Sequence, residues 1–240
     1  MKTKDNYVLI TGGTSGIGLS LAKKFYTNRN QVIVLGRNNE KLKDIKKEYS
    51  EMETIQADLS DLKELKNIVK LYPEINILIN NAGIQENYKF SDNTIPLENL
   101  TNEITVNLTA PLLLTKLYLP LLIKQPQSAI INVSSGLAIM PKESAPVYCA
   151  LKSAMHNFSI SLRWQLENTS VKLFEIIPPL VDTNMTKGRG KRKLSPETLV
   201  QEFWRNFAND NYEMRIGKVK LLYFINKLAP TIAEKIIRKG

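Results

Sequence analysis

The 240 residues contain one cysteine, Cys149, and one histidine, His156. A single cysteine closes no internal disulfide, and this pair does not supply the clustered ligands that a transition-metal centre needs. Long apolar runs are also missing. The greasiest stretch, Leu108 to Ile123, is interrupted by Thr109, Thr115 and Lys116 and is expected to be too short to span a bilayer. The chain opens Met-Lys-Thr-Lys-Asp and enters a strand by Tyr7, so no signal peptide is expected and a cytoplasmic protein is the default. Acid is scarce: 23 Asp and Glu face 33 Lys and Arg, for a net charge of +10. The imbalance is local. Residues 187–193 hold Lys187, Arg189, Lys191, Arg192 and Lys193 with no acid, and residues 214–240 hold seven basic residues against Glu234 alone. Such charge is ordinarily solvated surface, or else a weak attraction to an anionic membrane surface. Nucleic acid is not expected as a partner, because no reading motif accompanies the charge.

What is present alternates. Apolar, β-branched runs at 7–11, 31–36, 53–57, 75–80, 129–134 and 171–177 are separated by periodic segments near 16–28, 39–50, 61–71, 97–122 and 147–168. Buried strands joined by helical crossovers predict one α/β domain, a Rossmann-type doubly wound parallel sheet with helices on both faces. Ligands of such sheets bind beyond the C-terminal strand ends.

Three groups of residues fall there. Thr11-Gly12-Gly13-Thr14-Ser15-Gly16-Ile17-Gly18 joins the first strand to the first helix, where small residues and a helix N-terminus suit a pyrophosphate. Tyr148 and Lys152 lie one helical turn apart and so share a face. The ammonium is expected to lower the phenol's pKa from about 10, making it a proton-transfer group. Ser135, at the end of the fifth strand, is placed to donate a hydrogen bond to the same substrate oxygen.

The spacing Gly-x-x-x-Gly-x-Gly, Asp58 after the third strand, Asn80-Asn81-Ala82-Gly83 after the fourth, and Asn107, Ser135, Tyr148 and Lys152 in order resemble the short-chain dehydrogenases/reductases over about residues 6–185. Ile-Ile-Asn-Val-Ser-Ser-Gly, Pro-Val-Tyr-Cys-Ala-x-Lys and Ile-Pro-Pro-x-Val-Asp-Thr look most like the DltE-like branch. The resemblance implies a dinucleotide-binding and catalytic core over 1–185, and over 186–240 a basic substrate lid and helical extension of the same domain. It implies a catalytic tetrad of Asn107, Ser135, Tyr148 and Lys152. Pro111, four residues after Asn107, has no N–H for the Asn107 carbonyl, which frees that carbonyl to hold a relay water or simply kinks a core helix.

For the cofactor, the resemblance assigns Gly12, Thr14, Ser15, Gly16, Ile17, Gly18, Arg37, Asp58, Leu59, Asn81, Ala82, Gly83, Tyr148, Lys152, Pro178, Val181 and Thr183. Asp58 would meet the adenine amine, or else cap the helix that begins near Asp61. The second strand ends Leu35-Gly36-Arg37-Asn38, with a guanidinium where an acid would select NAD(H). NADP(H) is favoured and NAD(H) left open, since the glycine-rich turn has no second basic residue. Pro178-Pro179 departs from the family's Pro-Gly and removes an N–H. The implied reaction passes hydride between nicotinamide and a carbonyl or alcohol, with Tyr148 moving the proton. Leu137, Ile139, Met140, Val147, Leu180 and Met185 suggest an apolar substrate. A homodimer or homotetramer through the 97–122 and 147–168 helices is implied. The rival reading is a non-catalytic or membrane-associated binding module using the basic C-terminal region. The apolar positions of residues 217–240, divided by Pro230, are expected to pack on the chain's own body or a partner subunit.

Overall fold

The computed structural model describes residues 1–91 and 95–239. Seven parallel strands form one sheet: β1 (Tyr7–Thr11), β2 (Gln31–Gly36), β3 (Glu53–Gln56), β4 (Ile77–Asn80), β5 (Ser128–Val133), β6 (Val171–Ile177) and β7 (Glu213–Arg215), in the spatial order β3-β2-β1-β4-β5-β6-β7. The central strands bury both faces, as their unbroken Val/Ile/Leu runs require. Val8 and Ile10 face one core and Leu9 the other, and Val32 and Val34 are likewise opposed to Ile33. On one side lie α1 (Gly16–Thr27), α2 (Asn39–Glu48) and α7 (Pro196–Ala208), with Phe25, Phe203 and Phe207 fully buried among them. On the other lie α3 (Leu62–Leu71), α5 (Ala110–Leu122) and α6 (Pro146–Gln165), contributing Leu65, Tyr118 and Leu162. The strand order reverses between β1 and β4, which opens a crevice at their C-terminal ends.

Two features differ from the sequence expectation. The helix over 97–122 is a composite of α4 (Leu97–Ile104), a π-helical turn at Thr105–Thr109, and α5. Pro111 cannot donate in the ladder, and the backbone re-registers just ahead of it instead of breaking. The composite rod runs 26 residues and is long and apolar enough to cross a membrane, contrary to the expectation from Leu108–Ile123 alone. Ala110, Leu114, Tyr118 and Leu122 are nonetheless buried against the sheet. The second difference is the C-terminal tail, α8 (Val219–Leu228) and α9 (Pro230–Ile237). It packs by one face only. Val219 and Ala233 are buried, whereas Leu221, Phe224 and Leu228 are 61%, 59% and 66% exposed, because the apolar positions are spread round more of the helix than one contact can cover. Arg238 pins the tail to the loop before α6, pairing with Glu143, whose N–H donates to the Arg238 carbonyl.

Candidate active site

A single cavity of about 960 Å³ runs along the crevice. Every residue assigned above to cofactor binding lines it, as do Ser135, Tyr148 and Lys152; Asn107 stands directly behind its wall. At the inner end, α6 begins just past Pro146 and points Tyr148 and Lys152 inward, both buried. Lys152 Nζ lies 5.5 Å from the centre of the Tyr148 ring and donates to the Val133 carbonyl at 3.0 Å. Ser135 leaves β5 in an extended conformation and its Oγ accepts from the Leu137 N–H at 3.1 Å. Its hydroxyl is close enough to the phenol to stabilise the phenolate. Asn107 sits inside the π turn. Its Nδ2 donates to the carbonyls of Ile84 (2.8 Å) and Glu103 (2.9 Å), which fixes the amide orientation. Its side-chain Oδ1 is left buried without a hydrogen-bond partner among the described residues. A Cβ on Gly83 would stand 2.9 Å from that oxygen and 3.7 Å from Lys152 Nζ, so the chain passes between them only as glycine.

The electrostatics correct one expectation. Burial pushes the Tyr148 phenol well above its ordinary pKa, and the neighbouring Ser135 hydroxyl only partly offsets it. The ammonium one turn away does not reverse this, because burial lowers its own pKa as well and it loses its proton before the phenol ionises. Burial lowers Lys152 to about 8, against an upward pull from the buried Glu175 carboxylate, itself bonded to His156 Nδ1 at 2.8 Å. Between about pH 8 and 10.5 the folded chain therefore binds fewer protons at Lys152 than the unfolded chain, and stability rises with pH across that window. Below it the buried charge costs about 3 kcal/mol. Lys152→Met keeps the stem and removes the charge. It is expected to raise the thermal midpoint of the ligand-free protein at pH 7, with the gain shrinking by pH 10 (calorimetry at both values decides), while weakening cofactor binding.

At the other end the glycine-rich turn brings backbone against backbone. Gly12 has φ +63°, and a Cβ there would lie 2.8 Å from the Ala82 Cα; one on Gly18 would lie 2.4 Å from the Gly12 carbonyl oxygen. Asn81 fastens the two turns, Nδ2 donating to the carbonyls of Thr11 (2.9 Å) and Gly12 (3.1 Å). Ser15 precedes α1 in extended conformation without capping it, and no acid occupies the first turn, so the positive helix end and a free hydroxyl face the cavity. Asp58 does not cap α3, since Asp61 takes that role through the Lys63 N–H at 2.7 Å. The Asp58 carboxylate accepts from the Ser60 N–H and hydroxyl, which hold its pKa down, with Arg37 adding a smaller pull. The Pro178 carbonyl accepts from the Gly136 N–H at 2.9 Å, so Pro178-Pro179 keeps a defined turn despite its missing N–H. Thr183 and Thr186 close a capping box beside Gly16.

Sequence reasoning missed several lining residues. Lys41, one turn into α2, faces the same wall as exposed Arg37; its spacing of four from Arg37 was the available signal. Lys142, Lys218, Leu222 and Ile225 were also unassigned, and Arg189 was known only as part of a basic loop.

Residues 6–194 match the short chain dehydrogenase family. The chain is 44% identical over 230 residues to the uncharacterized oxidoreductase DltE of Bacillus subtilis, covering 92% of this chain and 91% of that one. Among solved structures, a short chain dehydrogenase from Burkholderia cenocepacia in complex with NADP superposes with TM-score 0.89 at 20% identity, each chain fully covered. A 3-ketoacyl-(acyl-carrier-protein) reductase from Brucella melitensis complexed with NADH gives 0.79 at 22%, covering 85% of this chain and 91% of that one. These two show the fold. The chain belongs to the short-chain dehydrogenase family, in its DltE-like branch, and is an oxidoreductase; the group bound in both of those solved neighbours is a nicotinamide dinucleotide. Its own cradle fits that group: the glycines leave room for a pyrophosphate at an uncapped helix N-terminus, and the orphaned Asn107 oxygen lies behind Lys152.

Proposed function

We propose that the chain is an NADP(H)-dependent carbonyl reductase, working in reverse as an alcohol dehydrogenase, on a substrate with an apolar body. The observation that carries the reading is one cavity with two chemically distinct ends: Tyr148, Ser135 and Lys152 at one, Arg37 and Lys41 at the other. The cofactor supplies or accepts hydride at its nicotinamide. The Ser135 hydroxyl donates to the substrate oxygen and holds it against the phenol. Tyr148 gives its proton to that oxygen as the carbon gains hydride, so the carbonyl becomes an alcohol and the phenol a phenolate. Lys152 steadies the phenolate through its charge, and Asn107 Oδ1 provides an acceptor behind it. Burial keeps Tyr148 in the acid form at neutral pH, the form that reduction consumes.

The two basic residues favour NADP(H). Arg37 follows β2 directly, makes no ion pair among the described residues, and stands where an acid would have repelled a 2′-phosphate. Leu137, Leu180, Leu222 and Ile225 line the substrate end and suit an aliphatic or aromatic body. Fluorescence titration with NADPH, followed by NADPH oxidation against a panel of medium-chain and aryl ketones and aldehydes, tests the reading. Binding together with turnover of an apolar carbonyl is expected. NADPH binding without reduction of any panel member would favour a non-catalytic binding protein.

A further inference from the structure

The substrate end of the cavity carries charge that hydride and proton transfer leave unused. Lys142, Arg189, Lys191 and Lys218 line it, while Asp58, beside Arg37 at the far end, is the only carboxylate among the described lining residues. Arg189 is the best placed of the four. It comes from the loop after β6, between two glycines in left-handed conformation, Gly188 (φ +77°) and Gly190 (φ +57°). Its Nη2 donates to the Gln85 carbonyl at 3.2 Å, which anchors the guanidinium across the cavity from its own loop. Its Nη1 is buried and has no hydrogen-bond partner among the described residues. A buried donor left unpaired costs free energy, and a charged one costs more. The guanidinium stands near enough to Lys142 to disfavour that ammonium, which burial already lowers, and near enough to Tyr148 to stabilise its phenolate. Lys142 is fixed from behind, its N–H directed at the Cys149 sulfur at 3.4 Å, next to the catalytic phenol. Two cations thus stand near the reacting oxygen. The buried Glu103 carboxylate also acts on Tyr148 and Cys149, but it accepts from the Glu86 N–H and the Tyr88 hydroxyl and pairs with neither cation among the described residues. Leu180, Leu222 and Ile225 around them are apolar and exclude water.

We propose that the substrate carries an oxyanion, a carboxylate or a phosphate, close to its reacting carbonyl, and that Arg189 and Lys142 hold it while the apolar body lies against α8. This deepens the reductase reading and rests on it. The bound anion pairs Arg189 Nη1, relieves the repulsion between the two cations, and fixes which carbonyl of a substrate reaches Tyr148. Arg189 is then a specificity-determining residue carried on a loop hinged at two left-handed glycines.

The test uses the full chain loaded with NADPH, which leaves all three probes unreacted, and three probes of one chain length: decanoate, decyl phosphate and decan-1-ol. Titration calorimetry is expected to show one or both anions bound about tenfold or more tighter than the alcohol, the gain of one charge-assisted hydrogen bond. The stronger anion identifies the oxyanion. Arg189→Met should bring the preference within about twofold, and Lys142→Met should reduce it part of the way, with NADPH affinity unchanged and the thermal midpoint not lowered in both. Lys142 lies outside the hinged loop, so its variant remains informative if Arg189→Met disturbs that loop. Equal binding of alcohol and anions by the parent, or an undiminished preference in both variants, would overturn the proposal. A chain that prefers the anions yet reduces no carbonyl would keep the oxyanion site and remove the reductase reading. One that reduces carbonyls equally well with and without an adjacent oxyanion would do the reverse.

Discussion

Tyr148→Phe is expected to lower kcat for a carbonyl substrate by at least about 100-fold, the lower end of what a positioned general acid contributes. NADPH affinity should stay within about twofold of the parent, a difference of under about 0.5 kcal/mol. Only the phenolic oxygen is lost. The ring keeps its place on α6 beneath Lys152 Nζ, and its buried surroundings accept Phe without a new polar group. The proton has no comparable second source. The Ser135 hydroxyl is close but is a far weaker acid, and Lys152 is turned toward the Val133 carbonyl. Because burial raises the Tyr148 pKa, the parent should hold its reductive rate through neutral pH and lose it only as the phenol ionises in alkali. Steady-state kinetics and a fluorescence titration on both proteins give the two numbers. Parental kcat in Tyr148→Phe would mean that another group delivers the proton.

The sheet was legible because its strands are unbroken β-branched runs and its turns are glycine or Asn-rich, so local pattern and global fold agree. β7, three residues long, is too short to show a period, and α7 went unread although Ser195-Pro196-Glu197 carries its start signal: the Ser195 hydroxyl accepts from the Thr198 N–H. In the site, spacing alone brought Tyr148 and Lys152 to one face. It could not give the sign of the phenol's shift. That depends on how much of the chain covers the pair, and burial dominates at both Tyr148 and Lys152 while the Glu175 charge opposes it at the lysine. Arg189 shows the same division. Sequence reveals a basic loop; only the fold shows one guanidinium turned inward to Gln85 while Lys187 and Arg192 remain exposed. The tail marks the limit of apolar counting. Residues 217–240 have enough apolar side chains to demand burial, yet α8 satisfies the cavity side with Leu222 and Ile225 and leaves Leu221, Phe224 and Leu228 outward.

Arg37→Ala combined with Lys41→Ala is expected to weaken NADPH binding about 100-fold and NADH binding no more than about twofold, since two charge-assisted hydrogen bonds at the lower end of 1.5–3 kcal/mol each are lost from the phosphate alone. The lower end applies because both side chains are exposed and solvent screens them. The geometry favours joint action. Arg37 leaves the end of β2, the Asn38 side chain caps α2 by accepting from the Lys41 N–H at 2.9 Å, and that cap sets Lys41 one turn beyond Arg37 on the same wall. A guanidinium fork grips two phosphate oxygens, while an ammonium adds a point charge, so Arg37→Ala should cost more than Lys41→Ala. Raising the ionic strength should narrow the parent's NADPH-to-NADH ratio and leave that of the double variant nearly flat, because only the parent's preference is electrostatic. Arg37→Asp goes further: a carboxylate at the strand end repels the 2′-phosphate and accepts from a 2′-hydroxyl, so the preference should invert toward NADH. Dissociation constants for both cofactors at two salt concentrations separate these outcomes. A parent that binds NADH as tightly as NADPH, or a double variant that keeps the parental ratio, would place cofactor selection elsewhere in the cavity.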